Sequence, residues 1–114
     1  MAFDEVANQP RRLPPTSPAL TRAEARPYFL WWLDCTVADL QKFLDDPDEE
    51  RRAYFLGALL REANTRDVWL FTTPERIRNE WPRVVKHLGR SRKMWAWLLE
   101  LSEPVWPPPQ ARRA

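Results

Sequence analysis

The sequence predicts an all-α protein: a compact orthogonal bundle of five to six short helices between proline-rich, extended termini. Three observations predict it. Apolar side chains recur at the helical period in four separate stretches, each opened by Thr36, Asp46, Thr73 or Ser91 in a capping position. Only two glycines are present, Gly57 and Gly89, and no Asn-Gly or Asp-Gly pair occurs, so a β-meander would lack its hairpin turns. Of the 12 prolines, Pro10, Pro14, Pro15 and Pro18 crowd one end, and Pro104, Pro107, Pro108 and Pro109 crowd the other. Proline fixes φ and removes a donor, which sets the domain plan. Residues 1–18 form an arm expected to be disordered, 19–102 the helical domain, and 103–114 a proline-rich tail.

The elements follow in order. Thr21 and Glu24 fit a capping box that would start a helix near Arg22, with Pro27 kinking it or opening the next one. The run Tyr28, Phe29, Leu30, Trp31, Trp32, Leu33 is too apolar for one exposed face; it is expected to be buried all round or to be half core and half interface. Thr36 and Asp39 open a short helix with Val37, Leu40 and Leu44 inward, ending at Asp45. Asp46 then caps a longer helix with Pro47 in its first position and Asp48, Glu49 and Glu50 where the dipole favours acids. Ala53, Leu56, Leu60 and Ala63 line it, and Asn64 supplies a left-handed stop. Thr65 starts a short turn that sends Val68, Trp69 and Phe71 inward. Thr73, Pro74 and Glu75 repeat the cap signal, and Ile77, Trp81, Val84, Val85 and Leu88 make a clean stripe that runs in phase through Pro82. After Gly89, Ser91 caps a last helix with Trp95, Leu98, Leu99 and Ser102 on one face and Met94, Trp97 and Leu101 beside it. Short connections make neighbouring helices roughly antiparallel.

Composition narrows the function further. A net charge of +2 means little, but its distribution is uneven. Asp34 to Asn64 holds eight acids and four bases, and Thr65 to the end holds ten bases and five acids. An acidic middle and a basic C-terminal part are therefore expected. Cys35 is the single cysteine, no signal peptide is visible, and the longest apolar run, Tyr28 to Leu33, is far short of a membrane span, all of which fit a cytoplasmic protein.

Catalytic signatures are missing. One His and one Cys give no zinc site, and the acids between Asp45 and Glu50 lack the alternation and glycine of a calcium loop, so no metal or cofactor is expected. His87 lies where an imidazolium near a helix C-terminus is ordinary electrostatics. Arg83 and His87 are closer in sequence than the arginine–histidine pair of HEPN-type ribonucleases. No glycine-rich phosphate loop and no nucleotidyltransferase Gly-Ser signature occurs. The chain is read as not an enzyme. Arg83, Lys86, Arg90, Arg92 and Lys93 form a basic cluster beside the start of the last helix, able to meet an anion or an acidic protein, with nucleic acid as the alternative partner. Trp32, Trp97 and Trp106 are the tryptophans read as contacts for a protein partner.

Two resemblances add to this. The stretch LDDPDEERRAYFLGALL resembles one HEAT-type helical pair, an Asp-Pro turn followed by a leucine-rich helix, in a single copy. The stretch DVWLFTTPERIRNEWPRVVKHLGRSRKMWAWLL is similar to uncharacterised small bacterial helical proteins encoded beside nucleotidyltransferase toxins of the AbiE class. That resemblance implies an antitoxin or accessory subunit that binds another protein, a toxin of that type among the candidates.

Overall fold

The computed structural model describes residues 14–101. All regular structure among the described residues is helical: α1 (Val37–Leu44), α2 (Glu49–Glu62), α3 (Thr65–Val68), α4 (Pro74–Val84) and α5 (Arg92–Leu99), with 3₁₀ turns at Pro18–Thr21, Tyr28–Leu30, Val85–His87 and Gly89–Ser91. None of these helices is long and apolar enough to cross a membrane.

α2 is the hub. Ala53, Phe55, Leu56, Gly57, Ala58, Leu59 and Leu60 are all buried, so this helix is covered on almost every side. α1 and α4 pack against it, as do α3 and the turns at Tyr28–Leu30 and Val85–His87. Leu40, Val68, Ile77, Val84, Leu88 and Trp95 are fully buried around it. At ~25 cal/mol per Å² of apolar area, this one contiguous core is the main stabilising term for so small a body.

Gly57 shows how tight the packing is. A Cβ at that position would run into the His87 Cβ, so glycine is what lets the Val85–His87 turn lie directly on α2. Gly89 has φ of 54°, a left-handed conformation that ends the preceding turn without strain.

Local starts and stops follow the sequence with instructive exceptions. The capping box at Thr36 and Asp39 forms as read, with Thr36 N–H donating to Asp39 at 3.0 Å and Asp39 N–H to Thr36 Oγ1 at 3.1 Å. Thr73 caps α4 and Pro74 opens it. α4 continues past Pro82 to Val84 and then tightens into a 3₁₀ turn, since the lost N–H of Pro82 interrupts one bond and not the apolar stripe.

The helix expected near Arg22 does not form. Residues 22–27 run as turn and loop instead, and the Ala23 and Ala25 carbonyls accept from the Ala38 and Val37 N–H groups, capping α1 from outside. A helix there would have consumed those carbonyls, and Pro27 would have blocked its continuation.

Asp46 is not the cap of α2. Asp48 is, accepting from Glu50 and Arg51 N–H, while Asp46 braces the turn by accepting from Asp48 N–H and Arg51. Asn64 is likewise a start and not a stop: it sits at φ −58° and accepts from Arg66 N–H to cap α3. Ser91 gives α5 no side-chain cap; its hydroxyl donates backwards to the Leu88 carbonyl at 2.7 Å.

The ordered body also begins before residue 19. Pro14 and Thr16, assigned by composition to the arm, are held by α3: Arg66 donates twice to the Pro14 carbonyl and Thr16 donates twice to Asp67. The rest of that arm, residues 1–13, and the tail from 102 onward, including Ser102, lie outside the described residues.

Candidate functional site

The last helix carries the least expected surface. Its inner side is anchored by Trp95, which is fully buried, donates from Nε1 to the Leu60 carbonyl at 2.9 Å and meets Trp69 edge-on at 5.7 Å. Ala96 and Leu99 complete the buried side. Leu98, which the sequence placed inward with Trp95, instead points out at 40 % exposure. The small Ala96 occupies the inner position, because the close approach of α5 to α2 near Leu60 leaves little room.

The outer side is apolar as well. Trp97 is 77 % exposed, and Met94 stands beside it at 39 %. Positions 94, 97, 98 and 101 share one arc at helical spacing. A shallow groove of about 480 Å³ lies at the C-terminal end of that arc, lined by Ala96, Trp97, Leu98, Glu100 and Leu101. Its floor is set by how α5 stops. Glu100 adopts φ 56°, Leu101 N–H donates to the Ala96 carbonyl at 2.8 Å and Glu100 N–H to the Trp97 carbonyl at 3.2 Å, a Schellman turn built on a residue other than glycine.

The basic cluster does not act as one patch. Arg83 pairs with Glu49 at 3.1 Å and lies 3.9 Å from Glu80, and Lys86 pairs with Glu50 at 2.8 Å. Arg76 pairs with Asp45. The acidic and basic segments of the sequence thus face each other across α2 and α4, and their charges cancel locally instead of forming two opposed poles. Arg92 is half-buried and engaged within the molecule. Arg90 and Lys93 are exposed and have no carboxylate partner among the described residues. Those two cations stand at the N-terminal end of α5, and Lys93 lies one turn before Trp97 on the same arc.

Of the tryptophans chosen from the sequence, Trp97 is on this surface and Trp106 lies outside the described residues. Trp32 is half-buried in a cluster of its own. Its Nε1 donates to Tyr54 Oη at 3.1 Å, and the Arg61 guanidinium sits 5.7 Å over its ring. The exposed member of the pair is Trp31, at 73 %, edge-on to Trp32 at 5.4 Å. Sequence reasoning missed Trp31, Met94 and Leu98. Only the phase of α5 could have shown the last two, since every residue from Met94 to Leu99 is apolar and the period alone does not say which side faces in.

His87 belongs to the Trp32 cluster. Its ring meets Tyr54 at 5.8 Å and 84°, its carbonyl accepts from Arg61 at 2.7 Å, and its Nε2 is buried without a hydrogen-bond partner among the described residues. Burial, with the nearby Lys86 charge, holds its pKa below the ordinary histidine value. The imidazolium expected at a helix end is therefore a neutral ring packed on Gly57. Cys35 is buried, which pushes its thiol pKa up. Among the described residues, no group of three His, Cys, Asp or Glu side chains converges on a metal-sized site. The acids from Asp45 to Glu50 are spread over caps and ion pairs.

No family model, curated protein or solved structure matches the chain. The geometry is what bears on function.

Proposed function

We propose that the chain is a non-enzymatic protein-binding subunit that docks its partner on the outer face of α5, and that it serves as the antitoxin or accessory partner of a bacterial toxin of nucleotidyltransferase type. One observation supports the docking half: α5 is apolar on both sides. Trp95, Ala96 and Leu99 face the body, and Met94, Trp97 and Leu98 face out. A helix apolar all round is ordinarily covered on both faces. The uncovered face offers on the order of 300 Å² of apolar area, most of it Trp97, the size at which exposed patches on small proteins become contact sites. Tryptophan is the residue most often dominant at such contacts. The toxin half is supported by the resemblance of the Asp67–Leu99 stretch alone.

Coexpression of the full chain with the product of the neighbouring gene tests both halves. The expected result is a complex of fixed stoichiometry that survives size exclusion. The combined substitution Met94→Ser, Trp97→Ala and Leu98→Ser should dissolve it without changing the helical circular dichroism. A wild-type chain that elutes alone, or a triple variant that still holds the neighbour, overturns the docking reading. A complex with some other protein overturns the toxin assignment and leaves the docking reading standing.

A further inference from the structure

The charges along α5 say what kind of partner the face accepts. Arg90 and Lys93, without carboxylate partners among the described residues, mark its N-terminal end, and the exposed Glu100 marks its C-terminal end. Between them lie Met94, Trp97 and Leu98 and the groove reaching Leu101. The surface is thus an apolar strip about two turns long, positive at one end and negative at the other.

Its size argues against a second copy of the chain. The strip offers on the order of 300 Å² of apolar area, against ~800 Å² per partner in a stable interface. A bilayer surface rich in anionic lipid fits no better: Glu100 lies on the same arc as Trp97 and would be pressed against like charge. A single helix laid along a groove matches both the length and the two-ended charge.

We propose that the outer face of α5 takes one amphipathic helix of a protein partner, its apolar stripe along Met94, Trp97 and Leu98 and its carboxylates at the end beside Arg90 and Lys93. The inference rests on the docking reading above and adds the chemistry and direction of what docks. The partner helix lies antiparallel to α5, so that the two helix dipoles oppose each other and its acidic end stays clear of Glu100.

Three synthetic helical peptides of about five turns test it, each with the same leucine stripe. One carries glutamates at its C-terminal end, one carries them at its N-terminal end, and one has glutamines in their place. Fluorescence anisotropy against the full chain should rank the C-terminally acidic peptide about tenfold tighter than the glutamine peptide at low salt, with the advantage fading as salt rises. The double reversal Arg90→Glu and Lys93→Glu should abolish that ranking, and Trp97→Ala should abolish binding of all three. Equal binding of the three peptides, still lost in Trp97→Ala, overturns the charge inference and leaves the docking reading intact. So does failure of all three while the neighbouring gene product is still captured through Trp97. Peptide binding indifferent to Trp97→Ala overturns both. Binding to phosphatidylserine–phosphatidylcholine vesicles in place of the peptides also overturns both, since the occupant would then be a membrane surface.

Discussion

Replacing Asp67 by asparagine should loosen the N-terminal segment more than any surface change of similar size. The Asp67 side chain is fully buried and accepts three hydrogen bonds: Thr16 N–H at 2.8 Å, Thr16 Oγ1 at 2.5 Å and Tyr28 Oη at 2.6 Å. Tyr28 Oη itself accepts from Asn64 N–H at 2.8 Å, so its one proton is committed to Asp67. An amide has one accepting oxygen. If its nitrogen faces the two hydroxyls, Thr16 can rotate to accept but the Tyr28 proton loses its partner; if it faces Thr16 N–H, two donors meet. Either way at least one bond to a charged acceptor is lost, worth ~1.5–3 kcal/mol, and the rest become neutral bonds worth about half as much. Thr16 and Tyr28 are partly exposed and can rehydrate, which places the cost near the low end, about 2 kcal/mol at neutral pH.

Urea unfolding of wild type and Asp67→Asn measures it directly. The pH dependence gives a second check. Burial pushes the Asp67 carboxyl up, but the hydrogen bonds from Thr16 and Tyr28, with the Arg66 charge, outweigh it and hold the folded pKa below the ordinary value. A depressed carboxyl contributes stability that is complete above its unfolded pKa of ~3.9 and fades as pH falls toward the folded value. The gap between wild type and Asp67→Asn should therefore be constant near neutrality and shrink below about pH 4. Equal stability at neutral pH, or a gap that persists in strong acid, would refute the latch.

Other expectations follow from the same packing. Gly57→Ala should destabilise the fold by ~1–3 kcal/mol, because the new methyl meets His87 Cβ on a short turn with no flexible end to yield; a chemical melt checks it. His87 should make the protein less stable as pH falls below ~6.5, since the unfolded chain takes up the proton more readily than the buried ring; His87→Gln should flatten that part of a melting-temperature profile. Arg52 and Glu80 pair at 2.6 Å with both side chains mostly buried, and Arg52 also holds the Asp46 carbonyl. Removing either partner should cost ~3 kcal/mol, and a double-mutant cycle with Arg52→Met and Glu80→Leu should recover much of it.

How much of this was legible beforehand depended on whether the signal was local. Thr36 with Asp39 and Thr73 with Pro74 act within one turn, and both starts came out as read. Competing caps one or two residues apart were not separable: Asp46 and Asp48 both suit the start of α2, and what decides is that Asp46 is used by Asp48 N–H and Arg51. The failed helix near Arg22 is a tertiary override. Its capping box is sound chemistry, yet the carbonyls it needed are taken by Val37 and Ala38 N–H groups, a pairing no window of sequence displays. The basic cluster failed for the same reason, since Glu49, Glu50 and Glu80 reach Arg83 and Lys86 only after α2 and α4 pack together.

The same comparison explains why α5 carries the functional argument. In α4 the polar residues fix the phase, so Ile77, Trp81 and Val84 can face only inward. In α5 the run Met94 to Leu99 contains no polar residue to fix it, and the structure chooses by fit: Trp95 goes in because its Nε1 finds the Leu60 carbonyl, and Ala96 goes in because α2 is close. That choice leaves Trp97 outside. Ordinary surface selection replaces such residues with polar ones at little cost to stability, since an exposed tryptophan contributes nothing to the core behind it. An apolar outer face beside two cations without carboxylate partners among the described residues is therefore better accounted for by what it contacts than by what it supports, and the contact has to reach Trp97.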